Sequence, residues 1–249
     1  MNDYYHPRKA VIIAGARVGS AMLCNALDSH PQISCEREDP LDYKTSPYFY
    51  QGLTPSQTIQ LVLSRVGYQW CMCKVSYRSL AKSISLPELI EFGVERVIHL
   101  WRENALRVVV SAALNTSARN GEREHPTHAW ETPAVSRIEL DPASVLSEAR
   151  RYILNVRAMR AQLGVCGLPV LELTYERLAG DRVYGWLDKY LAADLLKFLA
   201  INHDPTIEFR IFTKPINPYP LSEIVTNWPI VKAALVGTEL ERCCDETES

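Results

Sequence analysis

The sequence has almost no charge excess and no long apolar run, and each of these absences excludes a class of protein. Its 27 Lys and Arg residues nearly balance its 29 Asp and Glu residues, which gives a formal net charge of -2 at pH 7. A nucleic-acid or membrane-surface binder normally carries a basic excess. No window approaches the roughly 20 apolar residues that a membrane helix needs. We therefore expect no nucleic-acid partner and no stable membrane insertion.

The cysteines and the N-terminal segment lack the marks of an exported or zinc-binding protein. The seven cysteines form neither a CxxC pair nor a Cys/His zinc pattern. The starting segment MNDYYHPRKAVIIAGA has a short apolar run that an arginine closes, where a secretory signal would have a small-residue cleavage site. We expect reduced and mostly buried thiols, no metal site and a cytoplasmic location.

Apolar runs alternate with helical patterns along the chain, which is typical of a parallel sheet with crossover helices. The chain has 249 residues and is 47% hydrophobic, enough for one sizeable α/β core. Strands are predicted at residues 10–16, 68–75, 95–101 and 169–175. Helices are predicted near residues 20–29, 54–66, 86–92, 104–115, 141–163 and 229–235, several of them opened by a capping residue or a first-turn proline.

The segment AVIIAGARVGSAMLCNAL, residues 10–27, predicts an anion-binding loop between a strand and a helix. Such a loop turns backbone N–H groups toward one point, in front of the positive end of the helix dipole. Gly15 and Gly19 permit the tight turn, while Ser20 adds a hydroxyl. Arg17 adds a planar charged fork that suits an anion. The loop does not match the nucleoside-triphosphatase P-loop, GxxxxGK[ST], because no lysine follows Gly19. It does not match the dinucleotide-binding pattern GxGxxG either.

This segment resembles the 5′-phosphosulfate loop of the sulfotransferases that use 3′-phosphoadenosine 5′-phosphosulfate (PAPS), usually written PRSGS/T, and especially that of the bacterial Stf-type branch. IHLWRENALRVVVSAALN, residues 98–115, resembles the part that binds the 3′-phosphate, which implies that Arg102 and Ser111 flank this phosphate. Later family blocks match in order, and the resemblance spans about residues 9–242. The further matching segments are LDSHPQISCERE, CKVSYRSL, LTYERLAGD and LSEIVTNWPIVKAALVGTELE.

The resemblance implies a fold, a reaction and a donor. The fold is an α/β, P-loop-like three-layer sandwich with a central, mainly parallel sheet flanked by helices, in one domain over residues 1–249. The reaction is in-line transfer of a sulfuryl group from PAPS to a hydroxyl of a small-molecule, glycan or lipid acceptor, without a metal. Lys214 is expected to close over the 3′-phosphate. The oligomeric state stays open, a homo-oligomer included.

Two long segments are expected to shape the acceptor pocket, because such pockets are built from the variable parts of the family. Residues 116–140 have little periodicity but many polar side chains, and connections that long are usually functional or disordered. We predict that they form a substrate lid. Residues 39–53 are expected to form another wall.

The acceptor hydroxyl must lose a proton, so a general base is expected near the sulfur. The resemblance places an acidic residue in SCEREDP, and the alignment favours Glu38, then Glu36, then Asp39. Strand alternation predicts that Glu36 and Glu38 lie on the same side. His125 and His128 are alternative bases.

Two cations complete the expected site. Arg17 is predicted to stabilise the leaving 5′-phosphate, since positioned charge supplies much of the catalysis in such displacements. Lys74 matches a family lysine, but as a residue near a strand end it is expected to extend into solvent.

The loop departs from the family pattern in a way that favours a second interpretation. Ala16, Val18 and Ala21 stand where the family has Pro, Ser and Thr, so two hydroxyls that could bind the phosphosulfate are absent. Each hydrogen bond to a charged group is worth about 1.5–3 kcal/mol. The alternative is therefore a non-catalytic homologue that binds PAPS or its desulfated product, PAP. A small-molecule kinase is disfavoured by the missing P-loop lysine.

Overall fold

The computed structural model describes residues 6–42, 46, 48, 52–119, 136–180, 185–202, 204, 206–211 and 219–244. Within these residues the chain forms one sheet of five strands, with helices between them. The strands are β1 (Arg8–Ala14), β2 (Ile33–Glu36), β3 (Trp70–Ser76), β4 (Val94–Trp101) and β5 (Val170–Thr174).

The sheet has the order β2-β3-β1-β4-β5, and each neighbouring pair is parallel. The expected α/β architecture around a central parallel sheet is therefore confirmed. After β1 the chain moves toward the β2 edge, whereas after β4 it moves toward the β5 edge. In open α/β sheets, ligands bind at the carboxyl ends of the strands, at the position where successive connections begin to lead toward the opposite edge of the sheet. The topology thus points to the carboxyl ends of β1 and β4.

Ten helices lie within the described residues, and most of them agree with the sequence predictions. They are α1 (Ser20–Asp28), α2 (Pro55–Val62), α3 (Tyr77–Lys82), α4 (Leu86–Glu91), α5 (Ala105–Arg119), α6 (Pro142–Gly164), α7 (Tyr175–Ala179), α8 (Lys189–Leu199), α9 (Leu221–Ile224) and α10 (Trp228–Leu235).

The predicted caps explain where several helices begin. Thr54 forms a capping box with Gln57 at the start of α2, and Asp141 accepts hydrogen bonds from the Ser144 backbone and hydroxyl at the start of α6. Asn104 Oδ1 accepts from the backbone of the third residue of α5. These side chains satisfy N–H groups that the first helical turn leaves without a partner.

Several predicted boundaries were wrong. Helix α5 continues to Arg119, four residues beyond its predicted end near residue 115 and into the segment predicted as the lid. The helix that opens at Thr54 ends at Val62 instead of residue 66, and the chain then turns through Gly67, which has a φ of 93°. Tyr175 was predicted to end a strand but begins α7 instead. Thr174 ends β5 and accepts a hydrogen bond from the Arg177 backbone, so its side chain caps a helix where the strand pattern predicted one more extended residue.

The contacts divide the chain into two compact units, and the prediction of a single domain stays a prediction. The first unit holds residues 1–101 and 158–212, and therefore the whole sheet. On one sheet face, inward side chains of β1, β3 and β4 pack with α2, α4 and the end of α6. This core includes Val11, Ile13, Val75, Val97, Ile59, Leu89 and Leu163.

The second unit holds residues 102–157 and 213–249. Its core joins α5, the first part of α6, α9 and α10 through Leu106, Leu114, Ala149, Leu221 and Leu235. Across the described parts of both units, no helix has the combination of length and apolarity needed to cross a membrane.

Candidate functional site

The loop Gly15–Ser20, called here the anion loop, leaves the carboxyl end of β1 and enters α1. The backbone φ is 64° at Arg17 and 81° at Gly19, and it is not positive at Val18 between them. Alternation of this kind turns successive N–H groups toward one side, where they form an anion-binding concavity. Gly19 is the N-cap of α1 and has no side chain to cap it. The first N–H groups of α1 can therefore serve a bound anion.

The Arg17 backbone adopts the left-handed conformation, which residues with a Cβ atom rarely take. The left-handed region costs a non-glycine residue about 1–2 kcal/mol. Strain of this type gathers at ligand-binding sites, where the surrounding structure holds it in place. The strained backbone places a partly exposed guanidinium in the middle of the loop.

Gly19 is required by both conformation and space. A Cβ atom there would lie 2.7 Å from Tyr175 Cδ2 and 3.0 Å from Tyr175 Cε2. The Tyr175 ring, at the start of α7, thus packs directly against the loop backbone. The close approach fixes the turn that directs the chain into α1.

Val18 in the anion loop and Ala21 in α1 lack the hydroxyls found in the family pattern. The Val18 side chain is fully buried, so it anchors the loop to the core and does not line an open ligand surface. Ala21 is partly exposed in the first turn of α1. The backbone of the anion loop is therefore held in place by apolar packing at Val18, where the family pattern has a serine.

Arg102 and Ser111 belong to the second unit, and the structure fixes the backbone of Arg102 in place. Its N–H donates to Tyr152 Oη at 2.7 Å, and the same hydroxyl donates to the Arg102 carbonyl at 3.1 Å. Asn104 adds a hydrogen bond from Nδ2 to the Cys243 carbonyl. Arg102 thus begins a rigid turn that leads into α5, the helix that carries Ser111.

Three of the predicted site residues, Lys214, His125 and His128, lie outside the described residues, as do residues 120–135 of the predicted lid. Their roles stay predictions.

Glu36, the second candidate base, is engaged in a polar cluster on the sheet. Its Oε2 accepts from Tyr48 Oη at 2.8 Å and from Arg65 at 2.6 Å. The pKa of Tyr48 is raised, first by burial and then by its hydrogen bond to Glu36. Strand alternation was expected to place Glu36 and Glu38 on the same side, but β2 ends at Glu36 and Glu38 lies in the bend that follows, so alternation does not extend to Glu38.

Asp39, the third candidate, is buried and holds the start of α3. Its Oδ2 accepts from the Ser76 backbone at 2.9 Å and from the Ser79 hydroxyl at 2.6 Å, while its Oδ1 accepts from the Leu41 backbone at 3.0 Å. With three hydrogen bonds to its two oxygens, this carboxylate ties the turn after β2 to the end of β3.

Glu38, the first candidate, forms an ion pair with Lys74 at 3.4 Å. The Lys74 side chain is only 14% exposed, so the prediction that it extends into solvent was wrong. Lys74 lies in β3, a strand covered by β1 and β2 on its two edges, and its chain runs along the sheet to reach the carboxylate. The assignment of Glu38 as base stays a prediction.

Sequence reasoning overlooked a buried polar chain on the sheet face that also carries Ile13 and Val97. His99 in β4 has no exposed surface, and its Nε2 lies 2.6 Å from Tyr77 Oη. Its Nδ1 lies 3.0 and 3.1 Å from the two carboxylate oxygens of Glu172 in β5. Arg160 approaches the same carboxylate at 3.5 Å. The available signal was a histidine and a glutamate inside the apolar runs VIHLW and VLELT.

The charge of Glu172 is stabilised by this arrangement. Burial alone would raise the pKa of Glu172, but the hydrogen bond and charge of His99, together with the charge of Arg160, bring the pKa below its ordinary value. The carboxylate is therefore ionised at neutral pH and can orient the imidazole beside it.

The described residues contain no cluster of three or more His, Cys, Asp or Glu side chains that could hold a metal ion. No protein-family model matches the sequence, and no curated protein matches it. Among solved structures, the chain is similar to a sulfotransferase from Alicyclobacillus acidocaldarius. The two chains are 14% identical, 96% of each is covered and the TM-score is 0.45. A likeness this weak does not show what the chain does.

Proposed function

We propose that this chain is a sulfotransferase that moves a sulfuryl group from PAPS to an acceptor hydroxyl. The observation that carries the proposal is the anion loop, with its left-handed Arg17 and Gly19 at the carboxyl end of β1. The loop offers backbone N–H groups and an arginine in place of the lysine of a nucleoside-triphosphatase. The family-like segments along residues 9–242 support a phosphosulfate as its ligand.

Each loop group has a role in the proposed reaction. The N–H groups of the anion loop and the Ser20 hydroxyl bind the 5′-phosphosulfate, and Arg17 stabilises the charge that develops on the leaving 5′-phosphate. Arg102 and Ser111 bind the 3′-phosphate of the donor. The acceptor is a hydroxyl of a small molecule, glycan or lipid, which attacks in line as the bond between sulfur and the leaving oxygen breaks.

Binding of PAP, the desulfated donor, tests the proposal. We expect titration calorimetry to show binding that weakens at least about 10-fold in Arg102→Ala, because a hydrogen bond to a charged group is worth about 1.5–3 kcal/mol. Arg151→Ala is the matched control, since Arg151 is 68% exposed and pairs with Glu148 on the surface of α6. If the unaltered protein fails to bind PAP at millimolar concentration, the proposal is wrong.

A non-catalytic PAPS-binding protein is the second candidate, and the absence of hydroxyls at Val18 and Ala21 favours it. Incubating the protein with labelled PAPS and a metabolite extract separates the two functions. A product that gains the mass of a sulfate group supports the enzyme and identifies the acceptor. PAP binding without transfer to any acceptor supports the second candidate.

A further inference from the structure

The polar chain Tyr77–His99–Glu172 crosses the sheet at the carboxyl end of β1, from which the anion loop leaves. Ser76 is in register with the last residue of β1, so Tyr77, the next residue, is level with the first residue of the loop. His99 is in register with Ile13 on the neighbouring strand, and Glu172 is in register with His99. The polar chain Tyr77–His99–Glu172 therefore extends from the end of β3 to β5. Along the strand direction, each of its residues is level with a β1 or loop residue no more than two positions from the start of the anion loop.

The three members differ in their exposure to solvent. Tyr77 is partly exposed, His99 is fully buried and the Glu172 side chain is 36% exposed. The imidazole thus joins two groups that are each partly exposed to solvent. A proton received at Tyr77 has a hydrogen-bonded route that ends at a carboxylate near solvent.

The hydrogen bonds run in the order that activates a hydroxyl. When Nδ1 of His99 carries the proton and donates it to Glu172, Nε2 accepts from the Tyr77 hydroxyl. A hydroxyl, an imidazole and an orienting carboxylate in this order form the arrangement by which enzymes prepare a group for proton transfer. The ionisable groups facing His99 are Tyr77 from α3 and Glu172 from β5, and Arg160 of α6 lies beyond the carboxylate.

We infer that the Tyr77–His99–Glu172 chain is the proton acceptor for sulfuryl transfer, an inference that rests on the proposed function. The acceptor O–H bond breaks and its proton joins Tyr77 Oη, while the Tyr77 proton moves to His99 Nε2. The electron pair left on the acceptor oxygen forms the new bond to sulfur. The bond from sulfur to the leaving oxygen breaks, and PAP departs with that electron pair. Glu172 stabilises the imidazolium that results.

The carboxyls near β2 are less suited to this step because each has another partner. Glu36 accepts from Tyr48 and Arg65, and Asp39 accepts three hydrogen bonds. Glu38 accepts from Lys74. His99, in contrast, is joined to a hydroxyl on one side and a carboxylate on the other.

Removal of the Tyr77 hydroxyl tests the inference. With labelled PAPS and water as the acceptor, we expect Tyr77→Phe to slow sulfate release about 10²–10⁴-fold, the usual contribution of a general base, and to leave PAP affinity unchanged. His99→Asn is expected to slow the reaction similarly, because asparagine has no ring nitrogen that can take the Tyr77 proton. Tyr190→Phe is the matched control, because it also removes a tyrosine hydroxyl, from a side chain that is 70% exposed on α8, and it is expected to keep the rate within about threefold.

The results separate failure of this inference from failure of the proposed function. Full activity in Tyr77→Phe together with loss in Glu38→Gln would return the base to Glu38 and overturn the inference alone. A failure of the unaltered protein to bind PAP would overturn both.

A second measurement needs neither donor nor acceptor. Nitrogen NMR of the histidine rings, assigned with His99→Asn, is expected to show the tautomer of His99 in which Nδ1 donates to Glu172 and Nε2 accepts from Tyr77. A doubly protonated ring could not accept a proton, and finding one would overturn the inference whatever the kinetics show.

Discussion

The anion loop and the Tyr77–His99–Glu172 chain lie at the same end of β1 and are built in opposite ways. The loop consists of six consecutive residues and offers mainly backbone N–H groups, whose direction depends on positive φ at Arg17 and Gly19. The Tyr77–His99–Glu172 polar chain consists of three side chains, one each from α3, β4 and β5. The proposed anion site is made of backbone, so it does not need a hydroxyl at Val18 but depends on conformation. The proposed proton route is made of side chains, so it depends on single functional groups.

The largest effect on stability is expected when the loop backbone is disturbed. Gly19→Ala adds a Cβ atom 2.7 Å from Tyr175 at a φ of 81°, so we expect the free energy of unfolding to fall by about 2–4 kcal/mol from strain and overpacking. Gly67→Ala is the control, because its φ is also positive and its Cβ would meet nothing within 4 Å.

Urea unfolding of both variants measures the difference. In Gly67→Ala, the free energy of unfolding is expected to fall only by the cost of backbone strain at positive φ, about 1–2 kcal/mol. Equal losses in the two variants would show that the contact with Tyr175 does not constrain the loop.

A smaller effect separates the two contributions of Arg17. Arg17→Ala and Arg17→Gly both remove the guanidinium, and we expect both to weaken PAP binding about 10- to 100-fold in calorimetry. Only Arg17→Gly relieves the left-handed strain, so it is expected to be about 1 kcal/mol more stable than Arg17→Ala in urea. If both variants bind PAP as the unaltered protein does, the cradle acts through its backbone alone.

The smallest effect concerns the side-chain site and its pH dependence. The pKa of Glu172 is below its ordinary value of 4.5, so the carboxylate stabilises the folded state above that value and this contribution is lost as pH falls through the lowered pKa. Glu172→Gln should therefore be less stable at pH 7, by under about 1 kcal/mol because the group is 36% exposed. This gap in the free energy of unfolding should narrow as pH falls from 4.5 through the lowered pKa. A gap that stays constant down to pH 3 would contradict the role of the charge, and Gly19→Ala should show such a constant gap.

Much of the fold could be predicted from the sequence because its signals are local. Apolar runs located four of the five strands to within two residues, and the capping residues Thr54, Asn104 and Asp141 marked where three helices begin. Tyr175 was assigned wrongly because a strand and the first turn of a following helix share the same apolar pattern, and the cap by Thr174 decides between them.

The partners of individual side chains were harder to predict. Lys74 was expected in solvent but pairs with Glu38, because the pairing depends on a turn that Asp39 ties to α3. His99 attracted no prediction, although its position inside an apolar strand is a recognisable signal of a satisfied polar group.

By itself, the sequence determined the alternation of strands and helices and the loop between β1 and α1, since both arise from neighbouring residues. Only the tertiary structure decided which carboxyls are engaged and that His99 lies between Tyr77 and Glu172. Strand order and register bring those residues together, and they result from packing across the whole sheet. The loop can therefore be predicted from a short segment of sequence, whereas the Tyr77–His99–Glu172 polar chain forms only in the folded protein.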